Sequence, residues 1–288
     1  MWIRAGRTED RHGHDLHGNG LESLMHTRTG MATSAQRPCA GDALYVRDRS
    51  TGELFGYPHR PGVIDPGSYG VPALIGVGFL PGVSPVLAAG DFQGDGGLGL
   101  LCGLPGGREV VLPPADMFTA AGLPPAAPAA APATQAVVVR SGAGRPDQVL
   151  RAAPDGTVWL SPASVPHGGE PLTTIGPGAV LLGMGDVTGA GRPELLVRRP
   201  DGGVGAFEFR GAPGGGIWHD LGADFDDAVV VAAADASGDG MADLLAVDDD
   251  GELLVFPHSG VFWPQDPAVT FLSPVPVALA VGAFDVIG

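Results

Sequence analysis

Asp235-Ala236-Ser237-Gly238-Asp239-Gly240-Met241-Ala242-Asp243-Leu244-Leu245 sets oxygen-bearing side chains at positions 1, 3, 5 and 9 of a short loop, with glycine at position 6. That spacing turns three carboxylates, a hydroxyl and the Met241 carbonyl towards one point. A hard cation such as calcium wants several oxygens at once, and the glycine lets the backbone turn sharply. Apolar runs flank the loop, Val229-Val230-Val231 before it and Leu244-Leu245-Ala246-Val247 after it. The stretch reads as strand, loop, strand.

Outward from this stretch the pattern recurs. Val86-Leu87-Ala88-Ala89 leads into Asp91-Phe92-Gln93-Gly94-Asp95-Gly96, and Val137-Val138-Val139 precedes the loop from Ser141 to Asp147. Val180-Leu181-Leu182 leads to Asp186-Val187-Thr188-Gly189-Ala190-Gly191, and Ala278-Leu279-Ala280-Val281 to Ala283-Phe284-Asp285-Val286-Ile287-Gly288. Loop position 1 then falls on Asp91, Val139, Asp186, Asp235 and Ala283, in steps of 48, 47, 49 and 48 residues. A period this steady, at this length, suits a four-stranded propeller blade. After each loop come a second strand, a hairpin turn (Asp155-Gly156, Asp201-Gly202, Asp250-Gly251), a third strand and a weaker fourth. In the second blade a Pro/Ala run from Leu123 to Ala133 displaces the fourth strand and is expected to form an extended surface loop.

The two ends fit one blade. Ala40-Gly41-Asp42-Ala43-Leu44-Tyr45-Val46 aligns with Met241 to Val247, which puts Asp42 at loop position 9. The N-terminal unit starts in mid-blade, and the C-terminal segment supplies its first strand. The expected fold is all-β: a five-bladed β-propeller of four-stranded blades over residues 39–288, the ring closed by the C-terminal strand completing the N-terminal blade. Residues 275–283 should then lie beside 43–48. The competing reading is a piece of a longer array whose two cuts match in phase.

Composition agrees. Gly (48) and Pro (28) are abundant, yet 44% of residues are hydrophobic and the glycines recur at intervals, as in short strands joined by tight turns. No stretch has the apolar length of a membrane helix. The formal charge of -16 lies wholly in residues 43–288, with 11 Arg against 27 acids. Such a surface repels nucleic acid and anionic membrane. Residues 1–38 are polar and aperiodic, without the apolar core of a signal peptide, and are expected to be a disordered tail. His12, His14 and His17 offer no fixed metal geometry there. Cys39 and Cys102 are too few for a disulfide framework and lack zinc-ligand spacing; whether they pair is left open.

The D-x-[DNS]-x-D-G-x-x-D-L motif, within an all-β repeat of about 48 residues, resembles the FG-GAP/VCBS repeat family, the blades of integrin-α-like propellers. The resemblance covers residues 40–288 and is strongest at 179–260. It implies calcium in the loops, an adhesion, ligand-binding or accessory role, and an extracellular or cell-surface setting. Carried over by position, the best site is Asp235, Ser237, Asp239, the Met241 carbonyl and Asp243. A weaker one is Asp91, Gln93 and Asp95, where Gly99 replaces the last acid. One or two calcium ions are thus expected, with affinity on the order of 10⁻⁴–10⁻³ M. The remaining loops are worn: Asp186, Thr188 and Glu194 with Ala190 at position 5; Ser141 and Asp147; and Asp285 with Asp42, where Ala283 and Ile287 stand for acids. Each loop has a metal-free alternative, an Asx-type turn that Asp and Ser favour by themselves.

No G-x-S-x-G, H-E-x-x-H or Walker motif is present, so an enzyme is not expected, and a propeller-scaffold hydrolase or lyase ranks last. The partner is then a protein or a glycan. Trp159, Trp218, Trp263, Tyr57 and Phe256 would stack on sugars if they lined a blade edge, but packing between blades is the stronger expectation. His59 and His258 recur at equivalent places after Pro58 and Pro257, which repeat symmetry explains as well as a site would.

Overall fold

In the computed structural model the residues described are 43–123, 135–142, 144–165, 171–210, 215–222, 225 and 227–287. They lie in the second of two units, Gln36–Gly288; the first is Met1–Ala35. The expected tail, its histidines, Asp42, Cys39 and most of the Pro/Ala run lie outside the described residues.

Among the described residues twenty strands form five sheets. The first blade holds β1 (Ala43–Asp48), β2 (Leu54–Pro58) and β3 (Ala73–Val77). The second holds β4 (Val86–Gly90), β5 (Gly99–Gly103) and β6 (Glu109–Leu112), followed by the short β7 (Phe118–Thr119). The third is β8 (Gln135–Val139), β9 (Gln148–Ala152), β10 (Thr157–Pro162) and β11 (Thr173–Thr174). The fourth is β12 (Val180–Gly185), β13 (Glu194–Arg198), β14 (Val204–Phe209) and β15 (Gly216–Gly222). The fifth is β16 (Val229–Ala234), β17 (Asp243–Val247), β18 (Glu252–Phe256) and β19 (Val275–Ala280). Last comes β20 (Phe284–Val286), antiparallel to β1.

The second strand of every blade is sandwiched between two neighbouring blades. It therefore buries both faces and, in the fourth and fifth blades, reads as a continuous apolar run rather than an alternating one, Leu195-Leu196-Val197 and Leu244-Leu245-Ala246. Five hydrophobic clusters fill the five interfaces between blades. Tyr45 and Ile75 meet Leu87 and Leu100 between the first and second, and Ala88 and Leu101 meet Val149 between the second and third. Leu150 and Val158 meet Leu195 and Phe207, Leu196 and Ala206 meet Leu244 and Phe256, and Leu253 and Val255 meet Leu44 and Val46. Five interfaces for five blades is a closed ring. The thinnest cluster, between the second and third blades, is reinforced by Arg151, fully buried, which donates to Glu109 Oε2 at 2.8 Å and to Ser161 Oγ at 2.8 Å.

Ring closure is as expected, but its register is not. Residues 275–280 pair with β18 as the fourth strand of the fifth blade, and only 284–286 lie on β1, with Val286 opposite Val46 and Asp285 opposite Arg47. The alternating Ala/Val run at 278–282 imitates a first strand. The real one contains an acid, Asp285, which two arginines neutralise. Ala283 and Asp285 are therefore not loop positions 1 and 3. Ile287 adds a second tie: its N–H donates to Tyr45 O (2.8 Å) and its carbonyl accepts from Ala89 N (2.9 Å), linking the first two blades. A second departure is in the second blade. Its sheet has three strands, and β7 instead joins the first blade, parallel to β3.

Candidate functional site

The Asp-Gly loops follow one plan. Where an acid stands at position 9, it caps the amide at position 3: Asp243 Oδ2 accepts from Ser237 N (2.7 Å), Glu194 Oε2 from Thr188 N (3.4 Å) and Asp147 Oδ1 from Ser141 N (3.0 Å). Position 1 gathers the amides at positions 5 and 6. Asp235 accepts from Asp239 N and Gly240 N, both at 3.0 Å, and Asp186 from Ala190 N (3.2 Å) and Gly191 N (2.6 Å). Asp91 accepts from Gln93, Gly94, Asp95 and Gly96. Burial works against the Asp91 charge, but these amides outweigh it and hold the carboxyl below its ordinary value. In the second blade Gly99 leaves room for a different filler: a Cβ there would come 3.0 Å from the Phe92 ring.

Position 4 is also glycine in four loops, Gly94, Gly142, Gly189 and Gly238, and all four have positive φ, as do Gly96, Gly144, Gly191 and Gly240 at position 6. The G-x-G pair marks a nest of turns that only glycine adopts without strain. At position 4 there is a further reason. A Cβ on Gly238 would lie 2.9 Å from Gly62 N, and one on Gly94 would lie 2.9 Å from Pro146 N, each on a neighbouring blade. The loops also exchange hydrogen bonds from blade to blade. Asp91 O accepts from Asp147 N (2.7 Å), Asp147 Oδ2 from Asp91 N (2.8 Å), and Asp186 O from Ala242 N (2.9 Å). They act as staples between blades as well as within them.

In the best-preserved loop the acids divide between the interior and the surface. Asp243 is fully buried, its Oδ1 accepting from His258 N at 2.7 Å. Burial pushes its carboxyl up, the Asp239 charge adds to this, and the two amides oppose it. His258 Nε2 reaches Val187 O at 3.0 Å on the fourth blade, and its ring lies edge-on to Phe271, as His59 lies against Tyr69 in the first blade. Asp235 and Asp239 are exposed, and Asp239 Oδ1 accepts from Met241 N at 2.8 Å. Ser237 Oγ is buried with no well-formed hydrogen bond, although its interaction with the Asp243 carboxyl helps the two amides oppose the upward push. Among the described residues no three acids, histidines or cysteines are grouped as a metal would need. The Asp186 loop keeps the same fold with Ala190 at position 5, so its amide bonds hold this shape without the full acid set. In the second loop Gln93 and Asp95 are exposed and Asp95 Oδ1 accepts from Gly97 N.

Two cavities offer other surfaces. The first strands enclose a central one of about 290 Å³ lined by Val137, Leu181, Val286, Arg47 and Asp285. Arg47 and Arg49 both pair with Asp285, and Arg47 also donates to Ser84 O. Burial alone would raise the Asp285 carboxyl, but the two arginines outweigh it and hold it low. The Gln135 side chain bridges the third and fourth blades, donating to Ala179 O and accepting from Leu181 N. A larger cavity of about 600 Å³ opens between the third and fourth blades, beside Trp218. The aromatics divide. Tyr57 and Phe256 are core as expected and Trp159 is half-buried, but Trp218 (46%) and Trp263 (56%) are exposed, against the packing expectation. Cys102 is a buried free thiol that burial pushes to about 12, too high to act as a nucleophile. Among the described residues no helix is long and apolar enough to cross a membrane.

No protein-family model and no curated protein matches the sequence. Among solved structures, the chain is similar to BBS1N in complex with ARL6DN soaked with mercury (TM-score 0.39, 14% identity) and soaked with lead (TM-score 0.40, 16% identity). In both cases 83% of this chain is aligned, and it spans 65% of the length of the other. The architecture rests on this chain's own strand pairing: an all-β, five-bladed propeller closed by its C-terminal strand.

Proposed function

We propose that the chain is a non-enzymatic propeller of FG-GAP/VCBS type that serves as a ligand-binding or adhesion module. What supports this reading is how three of its acids are held. A general acid or base needs a pKa near the working pH and a proton it can exchange with a substrate. Asp285, in the central cavity, is tied to two arginines and held low. Asp201, at the cavity between blades, is held low by the Gly203 amide and by Arg199. Asp243, whose carboxyl burial pushes up, gives both oxygens to backbone amides and lines neither of these two cavities. The full chain should therefore bind members of a protein or glycan array while leaving ester, glycoside and phosphate substrates intact. Turnover that disappears in Asp285→Asn would overturn the reading.

A second reading, calcium in the Asp235 loop, rests on Ser237 Oγ. A buried hydroxyl with no well-formed hydrogen bond costs free energy, and a cation there would give it a partner. Asp235, Ser237, Asp239, the Met241 carbonyl and Asp243 would hold the ion, whose two positive charges would offset most of the repulsion among the three carboxylates and brace the turn. The Asp91 loop, with Gly99 in place of the last acid, is the weaker candidate.

A further inference from the structure

We propose that the cavity between the third and fourth blades takes a pyranose ring of a glycan; this deepens the ligand-binding reading and rests on it. The cavity of about 600 Å³ lies beside the end of β11, the two-residue outer strand of the third blade, with Thr174, Ile175 and Gly176 in its lining. Along the fourth blade, Phe207 and Trp218 are cross-strand partners with ring centroids 5.0 Å apart. Phe207 is buried in the core between blades, whereas Trp218 is 46% exposed and lines the cavity. Ile175 and Ala179 supply apolar surface from the third blade and Val197 from the fourth.

The rim carries a fixed array of donors and acceptors. Arg199 Nη1 and Nη2 both donate to Asp220 Oδ1 at 3.2 Å, and Arg199 Nε donates to Asp201 Oδ1 at 3.3 Å. Backbone amides hold the same oxygens: Gly203 N donates to Asp201 Oδ1 and Gly222 N to Asp220 Oδ1. Among the described residues neither Oδ2 atom takes part in these hydrogen bonds. Gly203 makes room for the arginine, since a Cβ there would come 2.1 Å from Arg199 Nη2. A ring of mixed character fits this surface. Its C–H face stacks on the Trp218 indole, and hydroxyls on its edge donate to the two Oδ2 atoms. A purely apolar ligand would leave the rim unsatisfied, and a strongly anionic one would meet two carboxylates.

The test is a glycan array probed with the full chain, followed by titration of the best-bound glycan against intrinsic tryptophan fluorescence. We expect saturable binding with a fluorescence change, weakened at least about tenfold by Trp218→Ala, as for a binding-site aromatic. Asp220→Asn, which leaves the indole in place, should weaken it too, and Trp263→Ala, at the other exposed tryptophan, should not. Glycan binding that survives Trp218→Ala and Asp220→Asn places the site elsewhere and overturns the proposal while leaving the binding-module reading intact. An array with no bound glycan also overturns it; the module reading falls only if a protein array is blank as well.

Discussion

Replacing Asp243 by alanine probes the staple at the centre of the best loop. The carboxylate is fully buried and accepts from two backbone amides at 2.7 Å, Ser237 N and His258 N. Hydrogen bonds to a charged group contribute about 1.5–3 kcal/mol each, and two stranded buried donors forfeit most of that. Part of the loss is offset, because burial and the nearby Asp239 already make the Asp243 charge costly. A net destabilisation of about 3 kcal/mol is expected, or a fall in Tm of about 6–12 °C for a chain of this size. Asp239→Ala is the internal control. Asp239 is exposed and accepts one local amide, so without calcium its loss should cost about 0.5 kcal/mol. Asp243→Asn keeps one acceptor oxygen and should fall between the two. Thermal and urea unfolding followed by circular dichroism, with EDTA throughout, measure all three. If Asp243→Ala costs no more than Asp239→Ala, the buried acid is not a staple and the reasoning fails.

Other expectations follow from the same contacts. With Asp285 held low, its pairing with Arg47 and Arg49 contributes stability that is full above the ordinary carboxylate range and lost as pH falls through the lowered folded value. Tm against pH should therefore lose part of its acid limb in Asp285→Asn, and an unchanged limb would refute the pairing. Millimolar calcium should raise Tm over EDTA, and Asp239→Ala should remove most of that rise, since a ligand stabilises in proportion to its occupancy of the folded state. No calcium effect on the parent chain would rule out the metal. At Gly156, with φ of +85°, a Cβ would lie 1.9 Å from Ile175 O, so Gly156→Ala should cost more than about 2 kcal/mol. A neutral result would mean that turn is drawn wrongly.

Much of the architecture was legible because each blade restates its pattern in nearly the same number of residues, and because doubly buried second strands leave apolar runs such as Leu195 to Val197 and Leu244 to Val247. The register at the C-terminus was not. Local pattern favours Ala278 to Val281 as a first strand, and only the tertiary pairing of Asp285 with Arg47 shows that the next segment is the one that closes the ring. Nor does sequence reveal that β7 leaves its own blade for β3, a choice made by a two-residue contact. In the loops, the oxygens were legible and the partners were not. The amides they cap, and the neighbouring blades they touch, exist only once the ring is assembled. Trp218 is a similar case: it is exposed at a cavity between two blades, and nothing in the tryptophan's own surroundings in the chain announces that.

Hydrogen exchange along β1 tests the closed ring most directly. In the full chain Ala43–Asp48 lies between β2 and β20, and Ile287 N donates to Tyr45 O. Its amides should exchange as slowly as those of Glu194–Arg198, the second strand of the fourth blade, and deleting residues 284–288 should make them exchange fast. Exchange along 43–48 as fast as in the outer strand Gly216–Gly222, with the C-terminal segment intact, would contradict a ring closed between β1 and β20.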